Sequence, residues 1–91
     1  MTTAVRDNRK TSRYELDVGG QVVFAIYRRD GLTLYIRHVE APPNLRGTGA
    51  AGRLMEGILE IARAEHLSIV PLCSYAAAWM RRHAQDRSAS G

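Results

Sequence analysis

A glycine-rich segment near the middle of the chain constrains the fold most, because it has to join a strand to a helix. It runs from Leu45 to Ala51 as Leu-Arg-Gly-Thr-Gly-Ala-Ala, directly after Pro42-Pro43 and Asn44. Prolines end a strand because they offer no amide to the ladder, and glycines adopt turn geometries that a Cβ would obstruct. Apolar residues at helical spacing follow, namely Leu54, Met55, Ile58, Leu59 and Ala62. The segment therefore predicts a strand, a tight turn and a helix from about Thr48 to Glu65.

The same segment is a candidate anion site. The first amides of a helix have no partner inside the helix, and they carry the positive end of its dipole. Arg46 adds a permanent positive charge, so a phosphate or pyrophosphate would fit here; the alternative is a purely structural turn. A P-loop is excluded because no lysine follows Gly52. Dinucleotide binding is disfavoured because the preceding strand does not begin a βαβ series.

Composition limits the class of protein. The 91 residues leave room for one domain, and no apolar run approaches the ~18 residues that a membrane span needs. The segment from Met1 to Arg13 lacks the apolar region of a signal peptide. Cys73 is the single cysteine, which excludes an internal disulfide framework and favours a cytoplasmic location. The net charge of +4 is spread along the chain without a nucleic-acid-binding motif, so a polyanionic small molecule is the favoured partner.

Period-two patterns predict three antiparallel strands after a disordered tail over residues 1–12. The strands are Tyr14–Val18, Gln21–Arg28 and Leu32–Glu40, joined by hairpin turns at Gly19-Gly20 and Asp30-Gly31. In the second strand Val22, Phe24 and Ile26 share a face. In the third, we expect Leu34, Ile36 and His38 on one face and Tyr35, Arg37 and Val39 on the other.

The remaining elements complete an α+β fold. Leu67–Leu72 is an unbroken apolar run that predicts a buried strand, parallel to the third strand through a right-handed crossover. Ser74 is the expected N-cap of a last helix, in which Trp79 packs into the core and Tyr75 either packs there or supplies a phenol. The order β-β-β-α-β-α gives a mixed, mostly antiparallel sheet in a single domain over residues 13–86, with a flexible tail over 87–91.

Several of these motifs resemble the GNAT acetyltransferase superfamily. The pattern Arg-x-x-Gly-x-Ala, formed by Arg46, Gly49 and Ala51, is similar to that superfamily's pyrophosphate loop for acetyl-coenzyme A (acetyl-CoA). The stretch from His38 to His83 resembles a short subfamily of compact GNAT-like proteins. Its marks are Val39–Pro43, Leu45–Gly49, Ile69–Cys73 and Arg81–His83. The resemblance implies a compact acyl-CoA N-acyltransferase fold.

The resemblance also implies where acetyl-CoA would lie. The pyrophosphate would sit over the loop amides, which belong to Arg46, Gly47, Thr48, Gly49, Ala50 and Ala51. The pantetheine arm would pair with the backbone of Val39 and Ala41, in the gap where two strands of this fold diverge, and the thioester would point towards Cys73. Two departures weaken the case for catalysis: Trp79 stands near the place of a typical proton-donating tyrosine, and the final strands of the usual fold are missing.

Three side chains are candidates for chemistry. Cys73 lies at the end of the predicted buried strand and just before a helix, where the helix dipole favours a thiolate that could accept the acetyl group; otherwise it is a small core residue. His38 and Glu40 share one strand end, and either could accept a proton; otherwise His38 is packed and Glu40 solvated. Arg81, Arg82 and His83 either contact the coenzyme or simply solvate the last helix. No metal is expected.

The sequence leaves two functions open. The first is an acetyltransferase that moves an acetyl group from acetyl-CoA to an amine or another nucleophile, on a small molecule or a protein. The second is a non-catalytic module that binds or senses acetyl-CoA. A basic interaction protein that has lost the coenzyme is disfavoured by the intact loop at Arg46–Gly49.

Overall fold

A computed structural model describes the backbone of residues 4–90 and the side chains of residues 4–83. Over this range the strands are β1 (Arg6–Asn8), β2 (Arg13–Val18), β3 (Gln21–Asp30), β4 (Thr33–Glu40) and β5 (Ser68–Pro71), and the helices are α1 (Ala50–Ala64) and α2 (Ser74–Ser90). The sheet order is β1-β2-β3-β4-β5. Neighbours from β1 to β4 are antiparallel, and β4 and β5 are parallel. The predicted α+β fold with a mixed, mostly antiparallel sheet is confirmed.

The hairpin turns follow from glycine conformation. Gly19 and Gly20 have φ angles of 58° and 83°, and Gly31 between β3 and β4 has a φ of 60°. These are left-handed values that glycine adopts without steric cost. The two turns fix the register of β2, β3 and β4, which form the predicted meander.

The N-terminal segment differs from the prediction of a disordered tail over residues 1–12. Arg6–Asn8 forms an edge strand on β2, and Val5 beside it is 6% exposed. Charge pairs hold this strand, since Arg6 contacts Glu15 and Asp17 at 3.0 and 2.6 Å. A search for hydrophobic periodicity does not detect ion pairs, so the sequence did not predict this strand. At the other end, α2 extends to Ser90 through most of the predicted tail over 87–91; residues 1–3 and Gly91 lie outside the described part.

Both helices pack on one face of the sheet. The strand residues of the core alternate along each strand, and they join residues of α1 and α2 in one cluster: Tyr14, Leu16, Val23, Ala25, Tyr27, Leu34, Ile36, Ala50, Leu54, Met55, Ile58, Ala76 and Trp79. The predicted apolar stripe of α1 therefore faces the core. Val22, Phe24 and Ile26 share a face as predicted, but it is the opposite face, where they are only half-buried.

An extra residue in β4 reverses the alternation of its side chains. Ile26 pairs with His38 while Tyr27 pairs with Ile36, so Arg37 is bulged out of the ladder. Paired residues project to the same face. His38 therefore lies on the face away from the helices, whereas Ile36 lies in the core. The prediction that Leu34, Ile36 and His38 share a face is wrong because of this single inserted residue.

The last strand is parallel to β4 as predicted, but it is not buried. It pairs Leu34 with Ile69 and Ile36 with Pro71, at one edge of the sheet. Ile69, Val70 and Pro71 are half-buried, and Leu72 beyond them is 61% exposed. An apolar run predicts burial, but within residues 4–90 no further strand covers the outer side of β5.

The stacked pair Tyr14 and Tyr27 predicts alkaline destabilisation. The ring centroids are 4.5 Å apart, and burial raises the pKa of Tyr14 from 10.0 to about 12 and raises the pKa of Tyr27 as well. Folding therefore favours the neutral phenols. The free energy of unfolding should stay constant up to about pH 10 and fall as the pH rises towards 12. Urea unfolding at increasing pH tests this, with Tyr14→Phe expected to reduce the slope. A wild type with constant stability over that range would contradict it.

Candidate functional site

A cavity of about 500 Å³ opens where β4 continues past the end of β5. Its lining consists of His38, Val39, Glu40, Ala41, Leu45, Arg46, Gly47, Gly49, Ala50, Ala51, Gly52 and Tyr75. The ladder between β4 and β5 ends at Ile36 and Pro71. In the described part of the chain, β4 beyond Ile36 is therefore paired with β3 alone. The cavity thus combines an open strand edge with the start of α1.

Internal hydrogen bonds fix the conformation of the loop between β4 and α1. Pro43–Leu45 form a short 3-10 helix, and the Thr48 hydroxyl donates to the Leu45 carbonyl at 2.5 Å. The Thr48 oxygen also accepts the Ala50 amide at 3.3 Å, and Arg46 Nε donates to the Ala41 carbonyl at 3.4 Å. Thr48, which we predicted to contact the coenzyme, does not line the cavity, because its side chain is engaged within the loop.

The two loop glycines expose the first turn of α1. Gly47 and Gly49 have φ angles of 81° and 87°, and a Cβ on either would meet no atom within 4 Å. Gly49 is the N-cap of α1 and offers no side-chain cap. The first hydrogen bond along the helix runs from the Arg53 amide to the Gly49 carbonyl at 3.0 Å. The amides of Ala51 and Gly52 precede that bond, so they are available to an anion in the cavity.

His38 and Glu40 form a pair at the end of β4. His38 Nε2 and Glu40 Oε1 are 3.0 Å apart, and the two side chains are 52% and 54% exposed. Both line the cavity. A carboxylate that accepts a hydrogen bond from an imidazole orients the ring and supports it as a proton acceptor. The alternative of a packed His38 is therefore wrong, whereas Glu40 is exposed to solvent as that alternative expected and also pairs with the imidazole.

Tyr75 belongs to the cavity, although the sequence predicted core packing for it. It is 37% exposed, and burial raises its pKa, so the phenol keeps its proton. A Cβ placed on Gly52 would lie 3.9 Å from the Tyr75 hydroxyl and 3.5 Å from Trp79 Nε1. The phenol therefore lies beside the first turn of α1. The sequence does carry a signal for this position of Tyr75, because helical spacing places residues 75 and 79 on one face of α2.

Trp79 and His83 lie one helical turn apart on α2 and stack on each other. Trp79 is 3% exposed, which confirms the predicted core role. The His83 ring stacks on the indole with centroids 3.6 Å apart, and its Nδ1 donates to the Trp79 carbonyl at 2.9 Å. His83 is thus tied to α2 itself, while Arg81 and Arg82 are exposed.

Cys73 lies at the end of β5, but it is not part of the cavity lining. It is half-buried and packs against the core. Its amide donates to the Ile36 carbonyl at 3.3 Å, and its carbonyl accepts the Ala77 amide at 2.9 Å. That second bond makes Cys73, rather than Ser74, the N-cap of α2.

Two features are absent from the residues that the structure describes. No group of three or more His, Cys, Asp or Glu side chains among them is arranged to hold a metal ion. No helix among them combines the length and apolar character needed to cross a membrane.

The sequence model of the GCN5-related N-acetyltransferases matches residues 13–89. The chain therefore belongs to the GCN5-related N-acetyltransferase (GNAT) family. A comparison with curated proteins found no match. The narrower assignment to a short GNAT-like subfamily stays a prediction.

Proposed function

We propose that the protein binds acetyl-CoA in the 500 Å³ cavity and transfers its acetyl group to an amine. Family membership supports acyl transfer. The observation that carries the proposal is the meeting of three features in one cavity: the open first turn of α1, the part of β4 beyond β5, and a pair of side chains able to accept a proton.

The cavity offers a contact to each part of the coenzyme. The amides of Ala51 and Gly52 and the guanidinium of Arg46 would bind the pyrophosphate. The pantetheine arm is an extended chain with amide groups, and the backbone of Val39 and Ala41 would pair with it as a neighbouring strand would. Binding along β4 would direct the thioester towards the end of β5. Backbone amides of β4 beyond Ile36 would then polarise the thioester carbonyl.

The side chains supply the two proton transfers of the reaction. The amine nitrogen attacks the thioester carbonyl carbon, the carbon–sulfur bond breaks, and the coenzyme leaves as a thiolate. The His38–Glu40 pair would accept the proton that the amine loses, directly or through water. The Tyr75 phenol would donate a proton to the thiolate and regain one from water. Each group lines the cavity, and burial of Tyr75 keeps its proton in place near neutral pH.

Direct attack by the amine is favoured over a covalent intermediate on Cys73, because Cys73 does not line the cavity. An acetyl-cysteine route would instead leave a labile acetyl group on that thiol after incubation with acetyl-CoA. Intact mass spectrometry distinguishes the two routes, and we expect no adduct on the wild type. A labile acetyl increment on the wild type that is absent from Cys73→Ala would overturn direct attack.

Calorimetric titration of acetyl-CoA into the protein, followed by an assay of coenzyme thiol release with amines, tests the proposal. Binding with turnover supports it. Binding without turnover on any amine would favour the alternative, a non-catalytic module that binds or senses acetyl-CoA. Absence of binding would reject both functions. The cytoplasmic location stays a prediction from the single cysteine.

Tyr75→Phe should separate catalysis from binding. Removing the phenol proton is expected to lower kcat by about 100-fold, since proton donation to a leaving group contributes roughly 10²–10⁴-fold. The dissociation constant for acetyl-CoA should change less than about threefold. Tyr14→Phe, in the core on β2 and outside the cavity lining, is the matched control. An unchanged kcat would remove Tyr75 from the mechanism.

A further inference from the structure

A second cavity, of about 430 Å³, lies on the face of the sheet away from the helices. Arg28, Asp30, Tyr35, Arg37 and Leu72 line it. Arg28 and Tyr35 are paired across β3 and β4, one position from the core pair Tyr27 and Ile36. Because side chains alternate along a strand, Arg28 and Tyr35 project to the face opposite the core.

This cavity adjoins the proposed acetyl-CoA site at the point where β4 and β5 separate. Ile36 and Pro71 form the last pair between these strands. The next residues, Arg37 and Leu72, line the second cavity, and His38 lines the first. A molecule in the second cavity would therefore lie beside the gap towards which the thioester is directed.

The two arginines of the second cavity have no polar partner among the described residues. Within the part of the chain that the structure describes, neither Arg28 nor Arg37 makes a side-chain hydrogen bond or an ion pair. Other arginines on strands do: Arg6 contacts Glu15 and Asp17, Arg13 contacts Glu15, and Arg29 contacts Glu65. One carboxylate, Asp30, shares the lining, so two guanidiniums and one carboxylate leave a net positive charge.

The rest of the lining suits a short apolar group. Leu72 is a large hydrophobic residue that is 61% exposed, and it lines this cavity together with the half-buried ring of Tyr35. Guanidinium groups bind carboxylates with two parallel hydrogen bonds. The cavity therefore complements a molecule with a carboxylate at one end and a short apolar body.

We propose that this cavity binds the acetyl acceptor, and that the acceptor is a small amine bearing a carboxylate. This inference rests on the proposed function. Arg28 and Arg37 hold the carboxylate, Leu72 and Tyr35 contact the spacer, and the amine reaches towards the thioester beside His38 and Glu40. The carboxylate takes no part in the reaction, in which the amine nitrogen bonds to the acetyl carbon as the carbon–sulfur bond breaks.

A matched set of amines tests the substrate class. The set is 6-aminohexanoate, hexylamine and 1,6-diaminohexane, which share a six-carbon chain and differ in charge at the far end. We expect kcat/KM for 6-aminohexanoate to exceed that for hexylamine at least about tenfold, with the diamine lowest. Shorter homologues of the amino acid then define the distance from the arginines to the thioester.

Variants at the two arginines test the site itself. Arg28→Gln and Arg37→Gln are each expected to lower kcat/KM for 6-aminohexanoate about tenfold, mainly through KM, and to change that for hexylamine less than about twofold. Arg63→Gln, in the last turn of α1, removes the same charge elsewhere and should change neither. Equal use of all three amines, or equal losses for 6-aminohexanoate and hexylamine, would overturn the inference while leaving the acetyltransferase proposal intact.

If no amine is turned over, a binding measurement tests whether this cavity holds the acceptor. Titrating 6-aminohexanoate into ¹⁵N-labelled protein with coenzyme A present should shift the amide signals of Tyr35 and Leu72. The shifts should be lost in the Arg28→Gln/Arg37→Gln double variant. Absence of shifts in the wild type would overturn this inference, whereas failure of acetyl-CoA to bind would reject the proposed function.

Discussion

Gly49→Val is expected to weaken acetyl-CoA binding by at least about 100-fold. Gly49 has a φ of 87°, a backbone conformation that a β-branched residue adopts only under strain of roughly 1–3 kcal/mol. The loop would have to move, and with it the amides of Ala51 and Gly52 that we propose as anion ligands. The valine side chain would also extend into open space beside the loop where we propose that the pyrophosphate binds, since its Cβ would meet no atom within 4 Å beyond the neighbouring residues.

A matched glycine separates backbone strain from loss of the binding site. Gly20, in the turn between β2 and β3, has a φ of 83° and equally open surroundings. Gly20→Val should therefore cost similar stability and leave the dissociation constant for acetyl-CoA unchanged. Calorimetric titration compares the two, with circular dichroism to establish that both variants fold. Equal affinity in the two variants would show that the coenzyme does not bind this loop.

Trp79→Ala is expected to lower the free energy of unfolding by about 3–5 kcal/mol. The indole is 3% exposed, belongs to the core cluster and stacks on His83. It also approaches Gly52 at the start of α1. Its removal leaves a cavity between α1 and α2. Because small domains are stable by only about 5–15 kcal/mol, this change removes a large part of the total.

Urea unfolding measures this effect, and Leu72→Ala is the control. Leu72 is large and apolar like Trp79 but 61% exposed, so its truncation should change stability by less than about 0.5 kcal/mol. A loss below about 1 kcal/mol for Trp79→Ala would contradict the central role of the indole. Loss of acetyl-CoA affinity in a folded Trp79→Ala protein would further indicate that the indole supports Gly52 at the start of α1.

Local signals account for the parts of the fold that could be predicted. Glycines at 19, 20 and 31 mark the hairpin turns, and the apolar spacing of α1 reports its buried face. The parallel pairing of β4 and β5 was predicted from the connection through α1, since a strand–helix–strand unit places its two strands parallel in one sheet. Each of these depends on contiguous residues or on a general rule for the connections between elements.

Parts that depend on distant residues were missed. The edge strand β1 forms because Arg6 meets Glu15 and Asp17, and its own hydrophobic pattern is weak. The face of His38 depends on a bulge that appears only when β3 and β4 are paired. Burial of the Leu67–Leu72 run was overestimated because burial of an edge strand depends on what lies beyond it.

The candidate site likewise has one part that the sequence predicted and one part that it did not. Its backbone part lies in one short segment, Arg46 to Ala51, so the sequence was sufficient to propose an anion site there. Its chemical part joins β4 to α2, which are distant along the chain. Core packing was therefore preferred to a phenol role for Tyr75, while Cys73, the candidate nucleophile, lies outside the cavity lining.

The bulge at Arg37 restricts how this protein can change in length during evolution. Hairpin tips such as Gly19-Gly20 tolerate gained or lost codons because nothing downstream depends on their parity. Loss of the Arg37 codon would also leave His38 and Glu40 on their face of the sheet, because Tyr27–Ile36 and Ile26–His38 would then be neighbouring pairs of a regular ladder. Gain or loss of one codon elsewhere in β4 would instead move side chains to the opposite face, so changes of length within this strand are confined to the bulge.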